Sequence, residues 1–590
     1  MSDELPDGIT DEDLSGPVID RRTTLKIFSA AAASSAFAGC SGGGGQGTAT
    51  PAATPTPTET EMMTETPTET ATEAETETET PSQGEQSNKR GGSITAGWVV
   101  SEITNMDEVT NSIGVNEQAA MPAYNGLLVT DPQLRLRGEV AKDWEVGGQG
   151  TEYTFQLREG IQFHQDYGEV TADDVKFTLM RGLTAEGSTS RPKLKNIAEP
   201  YDKNIEVLGD YEIRVTLAEP FIPFLKGLSR GGGACSPVPE QAIKDLGKQF
   251  RVTPVSCGPF EVQSHNVGSQ IKFRRFEDYW KTDENGVQLP YLDSFTIKPL
   301  ANASTVINGL LGGDLQYIQA LPLQNLSQVR DSDSASVKSA PAGGWGALYF
   351  NTNQPKFKDR KVRQGVAKLI DQETYVKRAA FGANMWAMGA LSPIHGFANR
   401  PRKEKDQTQA FNPEEGKRLL QEAGYSASNP LQFRQLAEKA EQRSHRVLNQ
   451  MLNKYDILDV EFNPVDQSTF DKRLQGKEGS QYYDTAIWGS DIDLTPDTTM
   501  YFFFTKYGEG GAYNNMRYEN DRVHKWLNQQ RKIPDQNKRA ELFQKAEDQV
   551  IRDAPCAFLQ HFRPHIATSK KLQNVIVHPF RRPMEGLWTE

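Results

Sequence analysis

Strand-like and capped helical patterns mixed along residues 89–590 predict a mixed α/β (α+β) protein with more than one sheet. Two further observations set its scale and character. The stretch is about 500 residues long, beyond the ~250–300 at which a single core stops growing, so two or three domains are expected. Its charges also balance, because residues 1–88 hold sixteen of the 78 acids but only three of the 65 basic residues ahead of Lys89. The formal charge of −13 therefore belongs to the N-terminal segments. A near-neutral core carries no basic footprint for nucleic acid and implies no steering of one sign of solute.

Each element has its own signal. Tyr153 to Leu157 alternates apolar and polar residues, Gly160 interrupts, and Ile161 and Phe163 resume the alternation. This predicts consecutive strands with a tight connection. Thr171 followed by Asp174 is a capping-box pattern, opening a helix with Val175, Leu179 and Met180 on one face. Residues 212–217 alternate as a strand, and 260–276 reads as a hairpin. Tyr349 to Thr352 is extended and leads to a helix over about 360–377. Asn412 caps a helix with Pro413 in its first turn, Glu414 and Glu415 near its positive end, and Gly424 as its stop. A last long helix over 535–552 places Leu542, Phe543, Ala546 and Val550 on one face.

Chemistry-bearing motifs are few. No Cys-x-x-Cys spacing occurs and most of the eight histidines are scattered, so no metal site and no cofactor is expected. The run 42–47 satisfies G-x-G-x-x-G but follows no strand and opens no helix, which rejects a nucleotide site. The chain lacks a G-x₄-G-K-[ST] loop and an H-E-x-x-H helix, so it is not expected to be an enzyme. A secreted hydrolase is the less favoured alternative. An extracellular address permits a Cys235–Cys257 disulfide, with free buried thiols, Cys556 included, as the equal alternative. The sequons at Asn302 and Asn325 permit surface glycosylation.

The address itself lies at the N-terminus. Arg21 and Arg22 precede a weakly apolar, Ala-rich stretch, 27–38, that ends at Phe37-Ala38-Gly39-Cys40. Twelve residues are too few to span a bilayer, which takes roughly 20, so the stretch reads as a signal segment. Residues 1–40 resemble a twin-arginine export signal with a lipobox, which implies an acylated Cys40 at the outer face of the cytoplasmic membrane. Residues 41–88 contain no Lys or Arg and are built from Gly, Thr, Pro and Glu. With little apolar area to offset ordering entropy, they are expected to form a disordered tether.

Several core stretches then read together. They are Tyr124-Asn-Gly-Leu-Leu128, Val140-Ala-Lys-Asp-Trp-Glu-Val146, Tyr153 to Gly160, Phe163-His164 and Val170 to Val175. Cys257-Gly-Pro-Phe260, Asp278-Tyr-Trp280, Phe350-Asn-Thr352, Asp359 to Gln364 and Ile370-Asp371 continue the series, and Asn412 to Glu415, Glu422 to Tyr425 and Asp553-Ala-Pro555 close it. In this order the set resembles the peptide/nickel-type (family 5) solute-binding proteins of ABC importers. The resemblance implies a two-lobed clamshell closing over a solute. Lobe one would span 89–345, with an extra subdomain at about 126–225, and 560–590 would return to it. Lobe two would be 346–559, and the chain would cross near Ala342 to Trp345 and near Cys556 to Leu559. Glycines at the first crossing suit a hinge.

The same resemblance places a site. In peptide-binding relatives the aspartate of a Trp-x-x-Asp context pairs with the peptide α-amine, and here that position is Asp491, after Trp488. A desolvated carboxylate would favour a bound ammonium, and Trp488 could add an apolar wall or a cation–π face. The alternative is that Asp491 caps the next helix and Trp488 is core. Three positions before Trp488, where some peptide binders carry a base, stands Thr485. Tyr124, Trp345 and Trp386 are further pocket candidates, and His164 belongs to a structural turn. The implied partners are a peptide or other small-molecule ligand, ABC permease subunits, and a membrane through the anchor. A monomer is expected. Oligosaccharide or nickel-complex binding and a surface-sensor role stay open.

Overall fold

The computed structural model describes residues 89–590 except 112–113, 195, 231–234, 440–441, 476–480 and 491–494. Arg21, Arg22, Cys40, the tether and Asp491 lie outside the described residues. Two large sheets organise the rest, and the chain adopts the mixed α/β class. The first sheet runs in the order Ala335–Ser339, His565–Ser569, Tyr317–Ile318, Ser93–Trp98, Ser294–Pro299, Gln270–Arg275, Phe260–Asn266. The second runs Met385–Trp386, Cys556–His561, Trp345–Phe350, Thr485–Ser490, Leu431–Glu438, Leu458–Val465. Each has its own buried core, around Phe260, Phe273 and Phe295 in the first and Trp345, Phe504 and Phe558 in the second.

A smaller antiparallel sheet forms within the first part of the chain. Its order is Ala141–Gly147, Glu152–Leu157, Glu212–Thr216, Ile205–Gly209, and the helix Ala172–Thr184 shares its core. Strand alternation is visible here as burial, with Tyr153, Phe155 and Leu157 inward and Thr154 and Gln156 half-buried between them. Thr171 and Asp174 form the expected capping box. Asn412 accepts from the Glu415 amide, and Asp535 from the Asn537 and Lys538 amides, at the starts of Pro413–Glu422 and Gln536–Asp553.

Three expectations are corrected. Ile161 and Phe163 are buried but not in a strand, because the chain turns at once into the short helix His164–Asp166, with Gln165 at φ 58°. The helix expected over 360–377 is two, Arg360–Lys368 and Gln372–Ala379. Asp371 divides them by capping the second, its carboxylate accepting from the Thr374 amide at 3.0 Å. The return passage lies at 562–564 rather than at Cys556 to Leu559, because Cys556–His561 is a fully buried strand beside Trp345–Phe350.

Two glycines set the spacing where the second sheet nears the first. Gly346 faces Gly489 across the Trp345–Phe350 and Thr485–Ser490 pair. A Cβ on Gly489 would lie 1.8 Å from the Trp345 carbonyl oxygen, whereas one on Gly346 would first meet a ring carbon of Phe562 at 3.4 Å. Gly489→Ala is therefore expected to destabilise the fold by about 2–3 kcal/mol. Gly346→Ala should cost less than about 1 kcal/mol. Urea unfolding of the two variants checks the asymmetry.

Candidate functional site

Strand direction brings the two sheets together at one kind of end. In the first sheet Ser93–Trp98 runs parallel to Ser294–Pro299 and Tyr317–Ile318. The Tyr317–Ile318 strand pairs antiparallel with His565–Ser569, and the Leu321 amide donates to the His565 carbonyl at 2.7 Å. Its carboxyl end thus points at the 562–564 passage. In the second sheet Leu431–Glu438, Leu458–Val465 and Thr485–Ser490 are parallel, and Ser490 sits opposite Trp345, the first residue after the 340–344 passage. Open α/β sheets bind ligands outside the carboxyl ends of their parallel strands. Here both sets of ends meet at the crossings. The crossings bond to each other, Ala342 donating to the Phe562 carbonyl at 3.2 Å and Phe562 to that of Gly344 at 3.1 Å.

The structure sorts the sequence candidates. Trp488 is 5 % exposed on the Thr485–Ser490 strand, its ring 5.8 Å from Phe470. Trp345 is fully buried, stacked 5.6 Å from Phe504 and edge-on to Phe558. Both lie in one cluster of the second core. Tyr124 is buried in the first core and donates its hydroxyl to the Met106 carbonyl at 3.1 Å, a structural role. Trp386 is half-buried at the edge of the second sheet under the Arg402 guanidinium, 3.7 Å from its ring centre. Asp491 follows Ser490 in sequence. The next helix, Pro496–Phe504, is capped by Thr495, which accepts from the Thr498 amide.

His164 is structural as expected: its Nε2 meets the Gly258 carbonyl at 2.9 Å, and burial pushes its pKa down to about 4. Cys235, Cys257 and Cys556 are all buried free thiols, so the Cys235–Cys257 bridge is not formed. Among the described residues no group of His, Cys, Asp or Glu is arranged to hold a metal ion.

Sequence reasoning missed several buried polar groups. The indole N–H of Trp98, the last residue of its strand, meets no acceptor among the described residues, nor do those of Trp345 and Trp488. The Asn116 side-chain amide nitrogen is likewise unpaired among them, and the Gln319 side chain donates to Gln118 while its own Oε1 is unpaired. Buried polar groups are normally bonded, so unpaired groups near the crossings mark where a solute's polar atoms could bond. The available signal was faint: a Trp ending an apolar strand, and Asn and Gln on a short helix. Asp497, 1 % exposed, lies within 3.2 Å of Arg531 Nε, and burial raises its pKa while Arg531 opposes the rise. No spacing rule links residues so far apart.

Glu108 is a second buried acid, beside Ser236, Tyr124 and Arg181 around a cavity of about 10 Å³. Arg181 is engaged bidentately by Asp107, at 2.9 and 2.6 Å, and among the described residues no cation forms an ion pair with Glu108. Burial pushes Glu108 from 4.5 up to about 7. A raised carboxyl pKa contributes stability below the unfolded value, and that contribution is lost as pH rises through the folded value. Glu108→Gln should therefore gain on the order of 3 kcal/mol over the parent above pH 7 and nothing near pH 4.5. Melting curves across this window read the crossover.

Known proteins match this geometry. The model for bacterial extracellular solute-binding proteins, family 5, matches residues 135–511. The glutathione-binding protein GsiB of Pectobacterium atrosepticum is 26% identical over 486 residues, covering 82% of this chain and 91% of the relative. The oligopeptide-binding protein AppA of Bacillus subtilis, solved with a nonapeptide, superposes with a TM-score of 0.68 at 22% identity, over 85% of this chain and 99% of that one. The periplasmic binding protein DppA of Helicobacter pylori, solved with the peptide STSA, gives 0.69 at 21%, over 86% and 100%. The chain belongs to family 5 of the bacterial extracellular solute-binding proteins.

Proposed function

We propose that this protein captures a di- or oligopeptide between its two sheet-centred lobes and hands it to the permease of an ABC importer. The observation that carries the reading is the family membership of a chain whose parallel strands in both lobes end at one double crossing. The relatives' ligands, glutathione and short peptides, share an α-ammonium and a string of amide groups. Such a solute suits a site of one carboxylate and several unpaired buried amides and indoles. Asp491 would take the ammonium, and Trp488 would wall the backbone behind it. The lobes would close over the solute and release it at the permease. A micromolar affinity, about −8 kcal/mol, would favour closure and leave release reachable.

The N-terminal motifs fit this role. Export through a twin-arginine signal and acylation of Cys40 would hold the captor near its permease, with 41–88 as the tether. Cys40→Ser is expected to move the protein from the membrane fraction to the medium, read by immunoblot of fractionated cells. An unchanged distribution would refute the anchor.

Peptide capture is tested by thermal shift with glutathione, di- and tetrapeptides, an oligosaccharide and a nickel–histidine complex. Peptides are expected to raise Tm as linkage requires. Asp491→Asn should weaken peptide binding about ten- to a hundredfold, the loss of one charge-assisted contact. Equal peptide affinity in the variant would sink the assignment, and stabilisation only by the sugar or nickel complex would sink the peptide reading.

A further inference from the structure

The two lobes touch a second time, far along the chain from the double crossing. The loop after Glu212–Thr216 in the four-stranded subdomain meets the residues that follow the helix Asp521–Gln530 of the second lobe. The Ile222 amide donates to the Arg531 carbonyl at 2.8 Å. The Arg531 guanidinium lies 4.6 Å from the ring centre of Phe221 in the subdomain and 3.8 Å from that of Tyr501 in its own lobe. Its Nε lies 3.2 Å from the buried Asp497 carboxylate as an ion pair, and Gln530 donates a hydrogen bond to the same carboxylate. Around this centre Lys532 pairs with Glu219, and a Cβ on Gly150 would come within 4.0 Å of Pro534.

We propose that Arg531, held between Asp497, Tyr501 and Phe221, is a clasp that fastens the subdomain onto the second lobe and sets how long a captured solute is retained. The role for solute rests on the capture reading above; the clasp itself does not. Arginine suits the position because its planar guanidinium can stack on two rings while its charge lies against a carboxylate, which a lysine ammonium cannot do. Phe221 is 6 % exposed, so separating the lobes would bare its ring. The Lys532–Glu219 pair is half-exposed and adds little by itself. Asp497 also ties the clasp to the solute side. It lies in the first turn of the helix Pro496–Phe504, which follows the Thr485–Ser490 strand and the candidate Asp491 in sequence.

The test measures the distance between spin labels on Asp210→Cys and Glu541→Cys, exposed positions on the subdomain and the second lobe, by double electron–electron resonance without solute. The parent is expected to hold a short-distance population. Phe221→Ala and Arg531→Lys should each shift it to longer distance, and Arg531→Lys keeps a positive partner for Asp497, so the second lobe stays folded. In both variants glutathione should dissociate about tenfold faster in stopped flow, the scale of one desolvated cation–π contact. An unchanged distance distribution in both folded variants overturns the clasp. A distance shift with no glutathione or peptide binding in the parent overturns the capture reading and leaves the clasp standing.

Discussion

The rest of the architecture depends on one antiparallel ribbon shared by two sheets. Ala335–Ser339 and His565–Ser569 pair in the first sheet, and the same two chain segments continue as Trp345–Phe350 and Cys556–His561, paired in the second. The last matched pair of one sheet, Ser339 with His565, and the first of the other, Trp345 with His561, leave unequal links of residues 340–344 and 562–564. An unequal ribbon cannot continue flat, so the sheets meet at a bend. The Ala342–Phe562 and Phe562–Gly344 hydrogen bonds hold the two links together there. The register on either side of the bend is fixed, because each half is sewn into a buried sheet. Ser392 adds a brace by donating its hydroxyl to the Ala342 carbonyl at 2.7 Å. Tyr317–Ile318, antiparallel to His565–Ser569, and Thr485–Ser490, antiparallel to Trp345–Phe350, both run toward the bend.

How much of this was legible depended on whether the deciding interaction was local. The caps at Thr171, Asn412 and Asp535 were readable because a side chain and the amides it satisfies lie within three residues. The hairpin Phe260–Asn266 with Gln270–Arg275 was readable from alternation and a short turn. Cys556–His561 was not, because a strand buried on both faces shows no alternation, and the return passage was therefore set too early. Ile161 and Phe163 mimicked a strand because both are buried, but a tertiary bond from His164 to Gly258 turns the chain instead. The candidate site shows the same division. Trp488 was singled out by motif and Trp345 and Tyr124 as further candidates, and all three lie in buried clusters, the two tryptophans in the second core and Tyr124 in the first. Asp497 and Glu108 gave no pattern because what distinguishes them is burial.

The motif Tyr124-Asn-Gly illustrates why a family signature need not mark a ligand site. Asn125 accepts from the Trp280 indole at 2.9 Å and donates to Glu139 at 3.1 Å, while the Gly126 amide donates to the other Glu139 oxygen at 2.7 Å. Glu139 is also paired with Arg230 at 2.9 Å and Lys281 at 2.7 Å, and Arg230 reaches Glu585 at 3.2 Å. Burial would push Glu585 upward, but Arg230, Lys281 and Arg581 hold its carboxyl down at about 2. The signature residues therefore knot together the start of the subdomain, the segment after Gln270–Arg275 and the returning C-terminal segment. Breaking one member of such a buried network is costly because it strands the charge left behind.

That knot bears on how the lobes can move. A subdomain joined to its lobe only by linkers would swing freely, and a contact at its tip would say nothing about the bend. Here Arg230 and Glu139 tie the subdomain's entry and exit to Glu585 and Lys281 of the first lobe, so the subdomain and lobe are braced to move as one body. The Phe221–Arg531 contact then acts at the end of a stiff arm whose pivot is the bonded pair of crossings. Small rotation at the ribbon becomes larger separation at Phe221, where close packing and a buried carboxylate resist gradual change. A stiff arm with a contact at its far end favours two discrete arrangements over a continuum, which is what capture followed by release demands.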